Sequence, residues 1–122
     1  MYDVIATAHF CAAHRLKYLD GKYENLHGHN WKATVTVSAK EVDGMGVGID
    51  FVVLKKETEA LIAKLDYQTL NEVPPFDKEN PSAENVARWI YEGLASRLNS
   101  DRVRVKQVEV RELPDCGAVY YE

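Results

Sequence analysis

The sequence has few cysteines, no excess of basic residues and no long apolar run, and each of these absences argues against a class of protein. Two cysteines, Cys11 and Cys116, are too few for the disulfide framework of a small secreted domain, which favours a reducing compartment. The formal net charge of −4 predicts no general attraction to nucleic acid or anionic lipid. No apolar run approaches the roughly 18 residues of a membrane-spanning helix, and the N-terminus lacks the features of a signal peptide. We therefore expect a cytoplasmic protein with no nucleic-acid or membrane partner.

The length and apolar content suit one domain that spans residues 1–122. With 122 residues, of which 46% are hydrophobic, the chain can bury a modest core. Alternating apolar residues predict two strands at each end, and two stretches with helical periodicity lie between them. We expect an α+β fold, in which two helices cover one face of a four-stranded antiparallel sheet. Such a sheet has open edges, so a homo-oligomer that covers them is also expected.

Specific patterns give the predicted elements. The second strand begins at Trp31 and places every second residue on an apolar face. The first helix begins at Phe51, and the second begins after Pro81 with Ser82 as its N-cap. The apolar parity of the third strand flips at residues 106–107, which predicts a β-bulge. Residues 70–75 are expected to form an extended linker.

Three of the four histidines follow a pattern that suits a metal site. His27 and His29 stand two residues apart at the start of a predicted strand, so their side chains share a face. Gly28 between them leaves room for close backbone approach. His14 follows the first predicted strand, and a neighbouring strand can carry its imidazole to the same point. Three imidazoles and one open position are typical of a catalytic zinc site. The alternative is that these are ordinary core or surface histidines, which is what we expect of His9.

Six short motifs extend this pattern along nearly the whole chain. They lie at residues 12–16, 26–29, 49–55, 65–71, 80–85 and 111–120. In this order they resemble the 6-pyruvoyl-tetrahydropterin and 6-carboxy-tetrahydropterin synthases, a family with the tunnelling fold. The first two motifs resemble the zinc-ligand motifs of that family, and the last resembles the strand that ends in its pterin-anchoring glutamate.

The resemblance implies a substrate, a metal and an assembly. The substrate is 7,8-dihydroneopterin triphosphate, and a zinc ion is held by His14, His27 and His29. Glu112 is expected to bind the pterin ring, because a carboxylate can accept two parallel N–H bonds, and Ser82 is expected to contact it. The alternatives are a solvated strand-end charge for Glu112 and a plain helix N-cap for Ser82. The resemblance also implies a homohexamer, a dimer of trimers, whose sheets join into an oligomeric barrel.

The sequence departs from the family pattern where the catalytic cysteine usually stands. Tyr23 occupies that position, four residues before the first histidine of the pair. The next residue, Glu24, resembles the type III branch of the family, which is associated with cutting the same substrate to 6-hydroxymethyl-dihydropterin for folate synthesis. A carboxylate beside zinc in a partly dry cleft can act as a general base. We expect this role for Glu24, and an exposed loop charge is the alternative.

A second departure lies at Asp66 and Tyr67, where the family commonly has Asp-His as a proton relay. A phenol has an ordinary pKa of about 10, so Tyr67 can donate a proton but is a poor base at neutral pH. Asp66 and Tyr67 are expected to complete the catalytic group with Glu24. Cys11 is not expected to replace the missing cysteine, because it lies three residues from His14 and faces the other side of a regular strand. We expect it to pack as a small hydrophobic residue.

Three functions remain open at this point. The favoured one is a zinc-dependent lyase that yields either 6-hydroxymethyl-dihydropterin or the 6-carboxy-tetrahydropterin of queuosine and deazapurine synthesis. The second is a non-catalytic zinc protein that binds a pterin or purine and has lost turnover with its Cys/His relay. The third is a structural zinc protein without a ligand.

Overall fold

The computed structural model describes residues 1–122 and contains one mixed sheet of five strands together with two helices. The sheet order is β3-β1-β2-β4-β5, and every neighbouring pair is antiparallel except β1 with β3. The elements in chain order are β1 Tyr2–His14, β2 His27–Ala39, α1 Phe51–Ile62, β3 Gln68–Thr69, α2 Ala83–Leu98, β4 Val103–Leu113 and β5 Cys116–Tyr121. Neither helix has the length and apolar character needed to span a bilayer.

The α+β class and the order of the long elements are confirmed, but the predicted four-stranded antiparallel sheet is wrong. The fifth strand, β3, has only two residues and pairs in parallel with Ala12 and Ala13 of β1. A strand of two residues has no periodicity from which it could be predicted. The expected linker is also wrong in part, because Leu70–Glu72 forms a short 3₁₀ turn whose Leu70 is fully buried.

Alternation along β2 places one row of its side chains in the core. Trp31, Ala33, Val35 and Val37 are all 0% exposed beneath the helices. The β-bulge predicted in the third long strand is also present, because Thr36 pairs with Gln107 while Val37 pairs with Val105, which leaves Lys106 as the extra residue. After this bulge, the apolar side chains of β4 return to the helix-covered face.

Local caps and close packing fix the two helices over the sheet. Asp50 accepts a hydrogen bond from the Val52 N–H at the start of α1, and Ser82 accepts one from the Asn85 N–H at the start of α2. A Cβ atom at Gly93 would lie 2.7 Å from a methyl group of Leu61, so only glycine allows the helices to approach this closely. The segment that leads into α2 lies beside the end of β1, because the Pro81 carbonyl contacts His14.

Candidate metal and ligand site

Three histidine side chains converge where β1 ends and β2 begins. His14 is paired with His27 across the two antiparallel strands, and His29 lies two residues further along β2. One nitrogen atom from each ring lies within 4.8 Å of the other two. The strand register therefore brings together the three residues that the sequence predicts as metal ligands. His9 is exposed and lies outside this cluster.

Backbone carbonyl groups orient two of these imidazole rings. His14 Nδ1 donates a hydrogen bond to the Pro81 carbonyl at 2.7 Å, and His27 Nδ1 donates one to the Asn25 carbonyl at 2.8 Å. A carbonyl oxygen can only accept, so both rings carry their proton on Nδ1 and keep a lone pair on Nε2. A second-shell bond of this kind fixes the tautomer of a metal-binding histidine.

Two other ring nitrogen atoms of the cluster have no hydrogen-bond partner within the chain. His14 Nε2 and His29 Nε2 are both buried and make no hydrogen bond. A buried polar atom without a partner is costly, so its presence calls for a bound group. Fully buried Trp31 forms the floor of the site, with its ring centroid 4.9 Å from that of His14 and 5.7 Å from that of His29.

The electrostatics of the cluster favour neutral imidazole at His29. Burial lowers the pKa of His29, and the neighbouring His14 and His27 lower it further. The nearby carboxylate of Glu112 acts in the opposite direction, but the net pKa is below the usual value of 6.5. Neutral imidazole is the form that binds a metal, so the site is poised for metal binding at neutral pH.

Glu112 lies directly beside the histidine cluster. Its Oε1 atom is 3.8 Å from His14 Nε2, and its Oε2 atom is 3.7 Å from His29 Nε2. The side chain is 27% exposed, so its carboxylate can still reach a ligand that enters from solvent. The β-bulge in β4 places Glu112 on this face, because residues 108, 110 and 112 share a side of the strand after the extra residue.

Glu24 is held by the backbone that follows β1. Its Oε1 atom accepts a hydrogen bond from the Leu16 N–H at 2.9 Å, and its own N–H donates to the Leu16 carbonyl at 3.0 Å. The side chain is half-buried, and its charge contributes to the electrostatics of His29. Glu24 is therefore a fixed carboxylate near the cluster and not a free loop charge.

Tyr23, which replaces the usual cysteine, lies against basic side chains. The guanidinium carbon of Arg15 lies 4.2 Å from the centre of the Tyr23 ring, and the Lys17 ammonium lies 5.9 Å from it. Cation–π contacts of this kind hold the ring in place. Tyr23 therefore packs within the hairpin formed by residues 15–24.

Asp66 and Tyr67 lie at the β3 edge of the sheet, and no hydrogen bond or ion pair joins them to the three histidines. Asp66 accepts a hydrogen bond from the Cys11 N–H at 2.9 Å, and the Tyr67 N–H donates to the Cys11 carbonyl at 2.6 Å. Tyr67 is 83% exposed and has φ of 59°, a conformation that non-glycine residues rarely adopt. Tyr67 nevertheless lines one cavity together with His29 of the cluster, and Asp66 is held at its edge by Cys11.

Two further sequence predictions have mixed outcomes. Cys11 faces away from His14 as predicted, but it is exposed and donates a hydrogen bond to Asn30 at 3.1 Å, so the expected packing as a buried hydrophobic residue is wrong. Ser82 forms the N-cap of α2, and the preceding Pro81 supplies the carbonyl that orients His14. A backbone carbonyl that orients a histidine cannot be predicted from a sequence pattern, because every residue has a carbonyl group.

Comparisons with known proteins identify a family that matches nearly the whole chain. Residues 3–122 match the family model described as 6-pyruvoyl tetrahydropterin synthase. The chain is 34% identical to a dihydroneopterin monophosphate aldolase of Pyrococcus furiosus, over 93% of this chain and 92% of that protein. It is 31% identical to a 6-carboxy-5,6,7,8-tetrahydropterin synthase of Bacillus subtilis, over 98% of this chain and 84% of that protein. The solved structure of Caenorhabditis elegans 6-pyruvoyl tetrahydropterin synthase superposes with a TM-score of 0.85 at 27% identity, covering 99% of this chain and 95% of that one.

Proposed function

The chain belongs to the 6-pyruvoyl tetrahydropterin synthase family, and we propose that it is a zinc-dependent lyase that cuts the side chain of a phosphorylated 7,8-dihydroneopterin to 6-hydroxymethyl-dihydropterin. One observation carries this proposal: two buried, unpartnered imidazole nitrogens face the Glu112 carboxylate beside a third histidine. The relatives, named as tetrahydropterin synthases and as an aldolase acting on dihydroneopterin monophosphate, support lyase activity on a pterin side chain.

The three histidines fit a zinc ion. The fit rests on the unpartnered Nε2 atoms of His14 and His29 and on the spacing of all three rings. Three neutral imidazoles that leave a fourth position open are the ligand set of catalytic zinc. When bound, zinc would polarise an oxygen of the substrate and acidify its protons. His14, His27 and His29 are the residues that would hold it.

Glu112 is the proposed anchor of the pterin ring. A carboxylate can accept parallel N–H bonds from the amino group and ring nitrogen of the pterin. Because Glu112 lies within 4 Å of two metal-ligand candidates, a pterin bound to it would lie beside the metal position. The Ser82 hydroxyl oxygen already accepts the N-cap hydrogen bond from the Asn85 N–H. Any contact that Ser82 makes with the pterin would therefore be secondary to that of Glu112.

Glu24 is the proposed general base. In the proposed cleavage, a base removes the proton of the hydroxyl group on the second side-chain carbon. That oxygen becomes a carbonyl oxygen as the bond between the first and second carbons breaks, so the second and third carbons leave as a phosphorylated two-carbon aldehyde. The electron pair of that bond enters the conjugated ring, and the first carbon then regains a proton. Glu24 can accept the first proton and return it, because the Leu16 N–H holds only one of its two carboxylate oxygens.

Asp66 and Tyr67 are proposed to act across a subunit interface. Neither makes a hydrogen bond to the histidines of its own chain, and Tyr67 is largely exposed in a cavity that it shares with His29. In a homo-oligomer they could complete the site of an adjacent copy, where the Tyr67 hydroxyl would serve as a proton donor.

We propose the homohexamer, a dimer of trimers, as the functional assembly. Along its outer side, β1 has a partner strand only at Ala12 and Ala13, and β5 forms the other open edge. Large apolar side chains beside the open β1 edge are also exposed, including Ile5 at 58%, Phe51 at 71% and Val52 at 72%. Pairing of edges between copies would cover both features and close the sheets into a barrel.

The choice between the two products rests on three residues. Glu24 resembles the glutamate of the type III branch, which is associated with the hydroxymethyl product. Tyr23 and Tyr67 stand where the family usually has the Cys and His of its proton relay. The 34% identity to a protein named as an aldolase points the same way. The 6-carboxy-tetrahydropterin product is the second candidate, because the Bacillus subtilis relative carries that name.

Product analysis tests the proposal. Zinc-loaded protein is incubated separately with 7,8-dihydroneopterin triphosphate and with the monophosphate, and the products are identified by mass spectrometry. Formation of 6-hydroxymethyl-dihydropterin is expected from at least one of them, and 6-carboxy-tetrahydropterin would replace this proposal with the second candidate. Pterin binding without turnover would identify a non-catalytic binder, and zinc binding without pterin binding would identify a structural zinc protein.

A further inference from the structure

Two asparagine side chains hold the backbone immediately after β1. Asn71 accepts from the Arg15 N–H at 3.0 Å and donates to the Arg15 carbonyl at 2.8 Å. Asn80 accepts from the Lys17 N–H at 2.8 Å and donates to the Lys17 carbonyl at 3.0 Å. Each side-chain amide uses one N–H donor and its oxygen acceptor here, so it bonds this backbone as a neighbouring strand would. Residues 15–17 are thereby fixed in an extended conformation beyond the end of the sheet.

The residue between these two anchored positions holds the candidate base. Leu16 directs its own N–H and carbonyl to the other side, where both bond to Glu24. The position of the Glu24 carboxylate therefore depends on the position of the Leu16 backbone. That backbone is set on one side by Asn71 and on the other by Asn80.

Asn80 also has a direct connection to the metal-ligand candidates. Its neighbour Pro81 supplies the carbonyl that accepts the bond from His14 Nδ1. The Asn80 carbonyl itself accepts a hydrogen bond at 2.8 Å from the side chain of Asn85, in the first turn of α2. The segment formed by Asn80 and Pro81 is thus attached to the helix on one side and to the end of β1 on the other.

We propose that Asn80 is a positioning residue of the active site, which sets Glu24 through Leu16 and His14 through Pro81. This inference rests on the proposed function and extends it, because neither the metal ligands nor the base contact the Asn80 side chain. Asparagine suits this position because alanine offers neither bond and aspartate cannot donate to the Lys17 carbonyl. Asn71 holds only the backbone of Arg15 and has no link to Pro81, so its role should be smaller.

The test compares Asn80→Ala with Asn99→Ala. Asn99 accepts a hydrogen bond from the Val105 N–H at 2.7 Å, so its loss removes a similar side-chain bond to the backbone, at the loop before β4. We expect both variants to lose a similar amount of melting temperature. Only Asn80→Ala should lower kcat, by about 10²-fold with KM nearly unchanged, because displacement of a reacting group by about 1 Å has an effect of that order.

Metal binding supplies a readout that does not depend on turnover. Competition with a chelator should show about tenfold weaker zinc binding for Asn80→Ala, as is typical when second-shell support of a ligand is lost. The absorption spectrum of the Co²⁺-substituted protein should change in the same variant and not in Asn99→Ala. If Asn80→Ala matches Asn99→Ala in kcat and in zinc affinity, the inference is wrong.

A second variant covers the case in which Asn80→Ala does not fold. Asn80→Asp keeps the acceptor for the Lys17 N–H and loses only the donor, so it should fold and show smaller changes in the same direction. Values for Asn80→Asp equal to those of Asn99→Ala would overturn the inference. If the wild-type protein turns over no dihydroneopterin phosphate, the proposed function fails, while zinc affinity still tests the connection between Asn80 and His14.

Discussion

Glu112 Oε2 lies 3.7 Å from His29 Nε2, so the candidate pterin anchor and a candidate metal ligand share one small site within a single chain. The two residues come from β4 and β2, which are paired in the sheet. A pterin held at Glu112 would therefore lie beside the candidate metal ligands of the same chain.

Replacing Glu112 with glutamine should weaken the binding of the pterin ring. Glutamine keeps the shape but turns one of the two acceptor oxygens into a donor, which faces the N–H donors of the pterin. We expect a KM raised by 10-fold or more, on the scale of about 1.5–3 kcal/mol for a hydrogen bond to a charged group. Zinc content should stay near that of the wild type. An unchanged KM would show that Glu112 is not the anchor.

Replacing Glu24 with glutamine should affect the chemical step and not binding. The amide can still accept the Leu16 N–H, but it cannot accept a proton from the substrate. Turnover should fall by about 10²–10⁴-fold, the usual contribution of a general base. Steady-state kinetics with a direct measurement of pterin affinity would separate the two effects. Full activity in this variant would contradict the proposed mechanism.

Zinc content should depend on the three clustered histidines and not on the fourth. His27→Ala removes one of three ligands, and we expect it to lose most of its bound zinc when measured by atomic emission after dialysis. His9→Ala is the matched control, because His9 is exposed and lies outside the cluster. Equal zinc content in the two variants would show that the ligand assignment is wrong.

The oligomeric state should depend on the exposed apolar surface at the start of α1. Sedimentation of the wild type at micromolar concentration should give the mass of a hexamer, and a monomer would contradict the proposed assembly. Phe51→Glu places a charge on this surface at a helix N-terminus, where acidic residues favour the helix, so it should disrupt assembly without unfolding α1. Leu19→Glu is the control, because Leu19 is fully exposed in a turn.

Acidification should remove one surface contribution to stability. Asp3 bonds to Lys106 Nζ and to Ser38 Oγ, both at 2.6 Å, and these bonds hold its pKa below the usual value. Its stabilisation is therefore present above the unfolded-state pKa of about 3.9 and is lost as pH falls through the folded-state value. The difference in free energy of unfolding between wild type and Asp3→Asn should be at most about 1 kcal/mol at pH 7. In urea titrations it should shrink as pH falls below the unfolded-state pKa of about 3.9.

The long elements and the common direction of His27 and His29 could be predicted from the sequence because they depend on local periodicity. The alternation from Trp31 gives the buried face of β2, and the same alternation gives His27 and His29 a common direction. The parity flip near Lys106 gives the bulge in β4. Each of these features is set by residues within a few positions of one another.

The tertiary structure alone decided what surrounds the three clustered histidines. The Pro81 carbonyl lies 67 positions from His14 in the sequence, and Asn80 lies 63 positions from Lys17. The exposure of Tyr67 at the edge of the sheet is likewise a result of tertiary packing. Such contacts depend on where whole elements pack, and a carbonyl or an amide side chain has the same chemistry wherever it occurs. The sequence by itself therefore determined which groups can bind a metal, and the packing of distant segments determined how those groups are held.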